Sequence, residues 1–251
     1  MQKLTKQRIK QRFTQALAHY DQQAFAQQQI QQRLIDLLPL MQCQKFENVL
    51  ELGCGTGGLT QGLMTALYAQ HWELNDLCDV QQHLQMTLPQ PFKFHCGDAE
   101  QFCFSKKYDL IAAASVVQWF EDKQGFIQRV KTGLRKQGFL LLSTFSATNL
   151  YEVKQITGIG LDYPSAAQWQ QWLVPEFELL AFAQEEIVLT FAQPIEVLKH
   201  LQKTGVNAIS QHGWTKTKLQ HFCHQYQQNY VNSQQQVTLT YAPLYLLARL
   251  K

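Results

Sequence analysis

Val49-Leu50-Glu51-Leu52-Gly53-Cys54-Gly55-Thr56-Gly57-Gly58 is the stretch on which the fold turns. A short apolar run ends in a glycine cluster, and residues 59–68 follow with the pattern of a helix. Strand, glycine-rich turn and helix form the opening unit of a doubly wound α/β sheet. The alternation continues downstream. Residues 71–75 predict a second strand, 80–88 a helix, 92–95 a third strand and 108–113 a fourth. A helix over 123–134, stopped by Gly138, precedes a fifth strand at 139–144. Strands that alternate with helical segments imply a mostly parallel sheet.

Upstream, residues 4–38 predict one helix, with Ile9, Phe13, Leu17 and Tyr20 at three- and four-residue steps and Pro39 as its stop. After Thr144 the rhythm changes. Residues 145–185 carry Pro164, Trp169, Trp172 and Pro175 and predict a substrate-side insertion. A strand over 186–191, helices over 195–203 and 217–230, and one or two strands over 237–250 complete the chain. The organisation expected is a single domain over 1–251: a helical cap at 1–40, a core at 45–145, the insertion, and C-terminal elements over 186–251.

The chain has 251 residues, 45% hydrophobic and 16% charged, a globular balance rather than a disordered one. Its net charge of +3 is too mild for a dedicated nucleic-acid binder. Lys3, Lys6, Arg8, Lys10 and Arg12 open the chain with no apolar segment of the secretory kind behind them. No apolar run approaches the roughly 20 residues that span a bilayer. A cytoplasmic protein is expected. Glutamine runs such as Gln27-Gln28-Gln29 and Gln234-Gln235-Gln236 read as solvated surface. Cys43, Cys54, Cys78, Cys96, Cys103 and Cys223 include no C-x-x-C pair, so no metal is expected and the thiols read as reduced and mostly buried.

Gly53, Gly55 and Gly58 satisfy G-x-G-x-x-G, which alone also admits a nicotinamide or flavin enzyme. Asp76 suits either class, because a carboxylate at the end of the second strand grips ribose hydroxyls in both. Glu51 separates them. A dinucleotide lays a pyrophosphate against this turn, and a carboxylate two residues before the first glycine would repel it. S-adenosylmethionine brings an ammonium and a sulfonium instead, and there the same carboxylate is favourable. Asp98, after the third strand, could accept the adenine amino group or merely cap a helix.

Glu51-Leu52-Gly53-Cys54-Gly55-Thr56-Gly57 resembles the first motif of class I S-adenosylmethionine-dependent methyltransferases. That resemblance covers roughly residues 45–145. It implies a Rossmann-like α/β fold, a seven-stranded sheet with a reversed last strand, and helices on both faces. It also implies a cofactor site of Glu51, Gly53, Cys54, Gly55, Gly57, Asp76, Leu77, Asp98, Ala99 and Ser115. S-adenosylhomocysteine would be the product.

The chain carries neither the Asn/Asp-Pro-Pro-aromatic mark nor the Pro-Cys mark of base methyltransferases after the fourth strand; Ser115-Val116-Val117-Gln118-Trp119 stands there. Four other patches are similar to malonyl-acyl-carrier-protein O-methyltransferases, the enzymes that open biotin synthesis. They are 13–21 with Ala24 and Gln27, Val117-Gln118-Trp119, 201–209 with Gly205 and Asn207, and Leu239-Thr240-Tyr241-Ala242-Pro243-Leu244-Tyr245. Some members of that family carry Arg near Lys199, and Lys offers a carboxylate no matching fork.

This second resemblance implies methylation of a malonyl carboxylate, with Tyr20, Gln118, Trp119 and Lys199 on the acyl side. Tyr20 would be a residue of an N-terminal helical lid. Its plainer reading is a packed helix aromatic, that of Trp119 a cover for the sheet edge, and that of Lys199 a solvated cation. The partner implied is a small acidic acyl-carrier protein met transiently by a monomer, through basic residues such as those of the run Lys3–Arg12, Lys199, Lys203, Lys216 and Lys218; coenzyme A is the other thioester candidate. A methyltransferase for another small acid, a non-catalytic adaptor and an RNA methyltransferase are the alternatives.

Overall fold

The computed structural model describes residues 5–205 and 214–251. In it β1 spans Lys45–Leu52, with exposed and buried residues alternating at first and continuous burial from Asn48 onward. That pattern belongs to a strand covered on both faces. β1 pairs in parallel with β2 (Tyr68–Asp76) on one side and β4 (Tyr108–Ala114) on the other. β3 (Lys93–Cys96) extends the sheet beyond β2, and β5 (Leu134–Phe145) beyond β4, again in parallel. β9 (Pro243–Leu250) runs antiparallel to β5, and β6 (Phe177–Gln184) forms the far edge antiparallel to β9. The order β3-β2-β1-β4-β5-β9-β6 is the mostly parallel seven-stranded sheet that the class I resemblance implies, with β9 as its reversed strand.

The helices α3 (Gly58–Ala66), α4 (Gln81–Thr87) and α5 (Lys123–Gly133) connect these strands close to where the apolar periodicity places them. Asp122 caps α5 by accepting the Gly125 N–H at 2.8 Å. On one face of the sheet, Leu50, Leu52, Ile111, Ala113, Leu140, Leu142, Leu244 and Leu246 form a continuous core with Phe126, Ile127 and Val130 of α5. Trp169 and Leu173, from α7 (Ala166–Leu173), complete it.

Four expectations are corrected. The helix expected over 4–38 is two, α1 (Lys6–Gln23) and α2 (Phe25–Ile35), broken at Ala24, and Pro39 lies in a 3-10 turn, Leu38–Met41. Gly138 does not stop a helix; it lies inside β5, which starts at Leu134. The register of β5 against β4 shifts between Tyr108 and Leu110, and Gln137 takes φ of 63°. A Cβ on Gly138 would meet the Arg135 and Tyr108 carbonyl oxygens at 2.9 and 3.1 Å, so glycine is what this bulge admits. The stretch 145–185 is not one insertion: it supplies β6 to the sheet, and its Trp169 is fully buried in the core. Finally, the thiols are not mostly buried. Cys54 and Cys78 are, whereas Cys43, Cys96 and Cys103 are exposed at strand ends and turns.

The chain divides into two compact units. The sheet unit holds Gln27–Ser146, Pro164–Gln184 and Pro243–Lys251; the helical unit holds Met1–Ala26, Ala147–Tyr163 and Glu185–Ala242. The break at Ala24 falls near this division, so α1 and most of α2 serve different units. Within the helical unit, β7 (Ile187–Phe191) and β8 (Val237–Tyr241) form an antiparallel pair. Around it are α1, α6 (Tyr151–Thr157), α8 (Pro194–Lys203) and α9 (Lys216–Asn229). Two buried polar contacts there involve β8: His200 with the Tyr241 hydroxyl at 2.9 Å, and the Thr240 hydroxyl donating to Glu152 at 2.7 Å. Among the described residues, no helix is long and apolar enough to cross a membrane.

Trp169→Ala should lower unfolding free energy by about 3–5 kcal/mol, because it empties a fully buried site between α5, α7 and the sheet. Chemical denaturation followed by circular dichroism measures this; a loss below 1 kcal/mol would mean that the stretch 164–184 is peripheral to the fold.

Candidate active site

The parallel register sets Leu52, the last residue of β1, opposite Asn75 of β2. The chain then turns. Gly53 and Cys54 both donate their N–H groups to the Asn75 carbonyl, at 2.8 and 2.9 Å. Gly53 holds φ of 69°, and a Cβ there would lie 2.2 Å from Val116 Cγ2, so positive φ and close approach both demand glycine. Gly57, at φ of 89°, is the N-cap of α3. Gly55 also has positive φ, yet a Cβ on it would meet nothing within 4 Å. That opening in the turn is a place where a ligand can approach the backbone.

Three carboxylates surround this turn. Glu51 is almost fully buried and accepts the Thr60 hydroxyl at 2.6 Å, which ties the end of β1 to α3. Burial pushes its carboxyl up to about 8; the Thr60 hydrogen bond opposes the shift and the Asp76 charge adds to it. Asp76 accepts Gly55 N–H on Oδ2 at 2.9 Å and Cys78 N–H on Oδ1 at 2.7 Å. Burial raises its pKa against those two N–H groups. Asp98 accepts Glu100 N–H at 3.0 Å and caps the 3-10 turn Ala99–Gln101. Cys54 is buried beside Glu51 and Asp76, and burial followed by those charges holds its thiol neutral.

Beyond β4, Ser115 takes φ of 56° and donates its N–H to both the carbonyl and the hydroxyl of Ser143, each at 3.1 Å. Gln118, in the 3-10 turn Val117–Trp119, donates its Nε2 to the Ser115 carbonyl at 2.7 Å. Ser115 Oγ, Gln118 Oε1 and Asn75 Oδ1 are buried with no hydrogen-bond partner among the described residues. Buried polar atoms without partners are costly unless a ligand or water meets them. Ala99 is buried in the core, Leu77 is half-buried after β2, and Trp119 is half-buried.

The sheet unit thus brings together Glu51, Gly53, Cys54, Gly55, Gly57 and Asp76 through direct bonds or adjacency. Asn75 links them to the loop bearing Asp98, because its Nδ2 donates to the His95 and Gly97 carbonyls at 2.9 and 3.0 Å. Tyr20 lies on α1 with its ring 6.5 Å from that of Phe13. Lys199 is exposed on α8. Both belong to the helical unit. Of the third family patch, residues 206 to 209 lie outside the described residues.

Sequence reasoning missed Thr60, Asn75 and Glu100. Glu100 is buried and accepts the Glu121 and Asp122 N–H groups at 2.7 and 2.8 Å, which fixes the entry to α5. Asn75 carried a signal, since it is a polar residue in an apolar strand beside Asp76. Thr60 carried none beyond its place in the first turn of α3.

The sequence model of the methyltransferase-domain family matches residues 21–205. A malonyl-acyl-carrier-protein O-methyltransferase of Haemophilus influenzae is 46% identical over 248 residues, 97% of this chain and 94% of that one. One from Haemophilus ducreyi is 43% identical, with 98% of each chain covered. This chain belongs to the malonyl-acyl-carrier-protein O-methyltransferase family. Among solved structures, the YcgJ protein from Bacillus subtilis aligns with a TM-score of 0.64 at 14% identity over 88% of this chain and 99% of that one. The N-methyltransferase NodS from Bradyrhizobium japonicum, in complex with S-adenosyl-L-homocysteine, aligns at 0.52 and 16% identity over 87% and 86%. At such identities the likeness is one of fold.

In this member of the family the Glu51 carboxyl holds a proton across the pH range in which the unfolded chain would have released it. Its contribution to stability is therefore full below about 4.5 and is lost as pH rises towards 8. A bound ammonium favours the ionised form. S-adenosylmethionine should accordingly bind more tightly as pH rises from 6 to 8, by up to about tenfold per unit. Glu51→Gln should weaken binding and flatten that dependence. Titration calorimetry at several pH values reads both; a flat wild-type profile would mean that Glu51 does not meet the cationic group.

Proposed function

We propose that this protein transfers the methyl group of S-adenosylmethionine to the free carboxylate of malonyl-acyl-carrier protein, giving the methyl ester from which biotin synthesis starts. The observation that carries the reading is the buried carboxylate of Glu51 at the glycine turn, a setting for a cation and not for a phosphate, in a chain 43–46% identical to malonyl-acyl-carrier-protein O-methyltransferases. Bound cofactor supplies an electrophilic methyl group on a sulfonium. Glu51 would face its ammonium, Asp76 its ribose hydroxyls, and Asp98 with Ala99 its adenine, with Leu77 beside them. The Gly55 opening and the unpartnered Ser115, Gln118 and Asn75 atoms are consistent with a polar ligand there.

The acceptor carboxylate is ionised at neutral pH, so the chain needs no general base. Its residues need only place the acceptor in line and keep water away. The chain's buried histidine at position 200 fits this. It is bonded to Tyr241 within the helical unit, and burial, aided by the Lys203 charge, draws it down to about 4. It is neutral at working pH and suited to structure. Gln118, held by its bond to the Ser115 carbonyl, and Trp119 would line the acyl side. For Tyr20 the family resemblance implies a hydroxyl on the N-terminal lid, and for Lys199 a cation for the acyl carboxylate. The enzyme would act as a monomer in the cytoplasm, on a protein partner and not on nucleic acid.

Incubation with methyl-labelled S-adenosylmethionine and malonyl-carrier protein should add one methyl to the acyl group, read by mass spectrometry. Free malonate and succinyl-carrier protein should gain little. Equal methylation of free malonate would point to a small-acid methyltransferase, and transfer to no thioester with cofactor binding intact would end the malonyl reading. Tyr20→Phe should lower kcat/KM for the malonyl substrate by about tenfold, the worth of one hydrogen bond, and leave cofactor affinity unchanged. An unchanged kcat/KM would make Tyr20 a packing residue.

A further inference from the structure

Glu100 joins the loop after β3 to the turn after β4. It stands in the 3-10 turn Ala99–Gln101, beside Asp98 and Ala99, and is buried. Its own N–H donates to Asp98 Oδ1 at 3.0 Å. Its Oε1 accepts the N–H groups of Glu121 and Asp122, at 2.7 and 2.8 Å, just past the turn Val117–Trp119 that carries Gln118 and Trp119. Asp98, Glu100 and the chain leaving that turn are therefore linked by consecutive hydrogen bonds, all within the sheet unit.

The elements on either side have supports of their own. Asp122 caps α5 by accepting the Gly125 N–H, and Phe126, Ile127 and Val130 anchor that helix in the core. Arg129 of α5 donates its Nη2 to the Glu100 carbonyl at 2.6 Å, and Ala99 packs in the core, so the turn Ala99–Gln101 is held without the Glu100 side chain. Within the turn Val117–Trp119, the N–H groups of Trp119 and Phe120 donate to the Val116 and Val117 carbonyls at 3.0 and 3.1 Å. None of these bonds joins the Asp98 loop to the residues that follow Trp119; the Glu100 carboxylate does. A carboxylate taken from water is costly, and two converging N–H groups offset that cost only while both loops keep their places.

We propose that Glu100 is a positioning residue, which transmits the seating of adenine at Asp98 and Ala99 to the turn bearing Gln118 and Trp119. Bound cofactor then sets the acyl side for its acceptor. The inference rests on the reading of Asp98 and Ala99 as adenine contacts and of Gln118 and Trp119 as acyl-side residues. Sites coupled in this way act reciprocally, each ligand tightening the binding of the other.

The test is hydrogen exchange of the full-length chain with S-adenosylhomocysteine, which fills the cofactor site without turnover, read by mass spectrometry. In wild type the ligand should slow exchange over residues 97–102 and, through Glu100, over residues 119–125. In Glu100→Ala the slowing should persist over 97–102 and vanish over 119–125. Glu100→Gln keeps an oxygen able to accept both N–H groups and should restore it. Kinetics give a second readout. Glu100→Ala should raise KM for malonyl-carrier protein by about tenfold, while its affinity for S-adenosylhomocysteine without acceptor changes by less than about threefold. Wild type in which the ligand slows neither segment, or slows 97–102 alone, overturns the proposal, and that result needs no variant to fold. Equal losses of cofactor affinity and acceptor KM in the alanine variant overturn it too, as does a glutamine variant as impaired as alanine. If wild type transfers methyl to no malonyl thioester, the malonyl reading fails by itself, and the exchange experiment still decides the coupling.

Discussion

One carbonyl oxygen, that of Asn75, accepts the N–H groups of Gly53 and Cys54, and the candidate active site is arranged around that contact. It forms because parallel pairing brings the ends of β1 and β2 side by side. It can form only if residue 53 takes positive φ with Val116 where a Cβ would be. Asp76, one residue on, receives Gly55, so two consecutive residues of β2 hold the turn that follows β1. Through its side chain Asn75 also holds the loop after β3. A single polar residue thus connects the three strand ends at which Glu51, Asp76 and Asp98 stand.

Burial raises the pKa of both Glu51 and Asp76, and for Glu51 the Asp76 charge adds to it. Without a cation this is a destabilising arrangement, because charge taken from water must be paired or neutralised. A cation bound beside them would relieve it. An acceptor that is already an anion needs no base, and the site offers fixed acceptors and a turn open to a ligand rather than a catalytic dyad.

The helical unit follows a different rule. Its interior is tied by His200–Tyr241 and Thr240–Glu152, whereas its surface leaves cations exposed on α1, α8 and α9. The sheet unit pairs several of its own and sits near neutrality.

By itself the sequence determined the sheet class, the succession of its first five strands along the chain and the glycine turn after the first of them. Those rest on interactions short in sequence: apolar periodicity, glycines at positive φ, and a carboxylate two residues from the turn. It also carried the family, through patches from both ends of the chain. Only the tertiary structure decided that β6 joins the sheet, because an edge strand paired to β9 depends on residues some 65 positions away and not on its own pattern. The bulge at Gly138 was hidden likewise, since it is defined by the carbonyls of Tyr108 and Arg135 around it. Thr60 and Glu100 acquired their roles from what folding set beside them. Trp169, a tryptophan among prolines that reads as a surface feature in one dimension, became core because the face of α5 and the sheet required a large apolar side chain to close it.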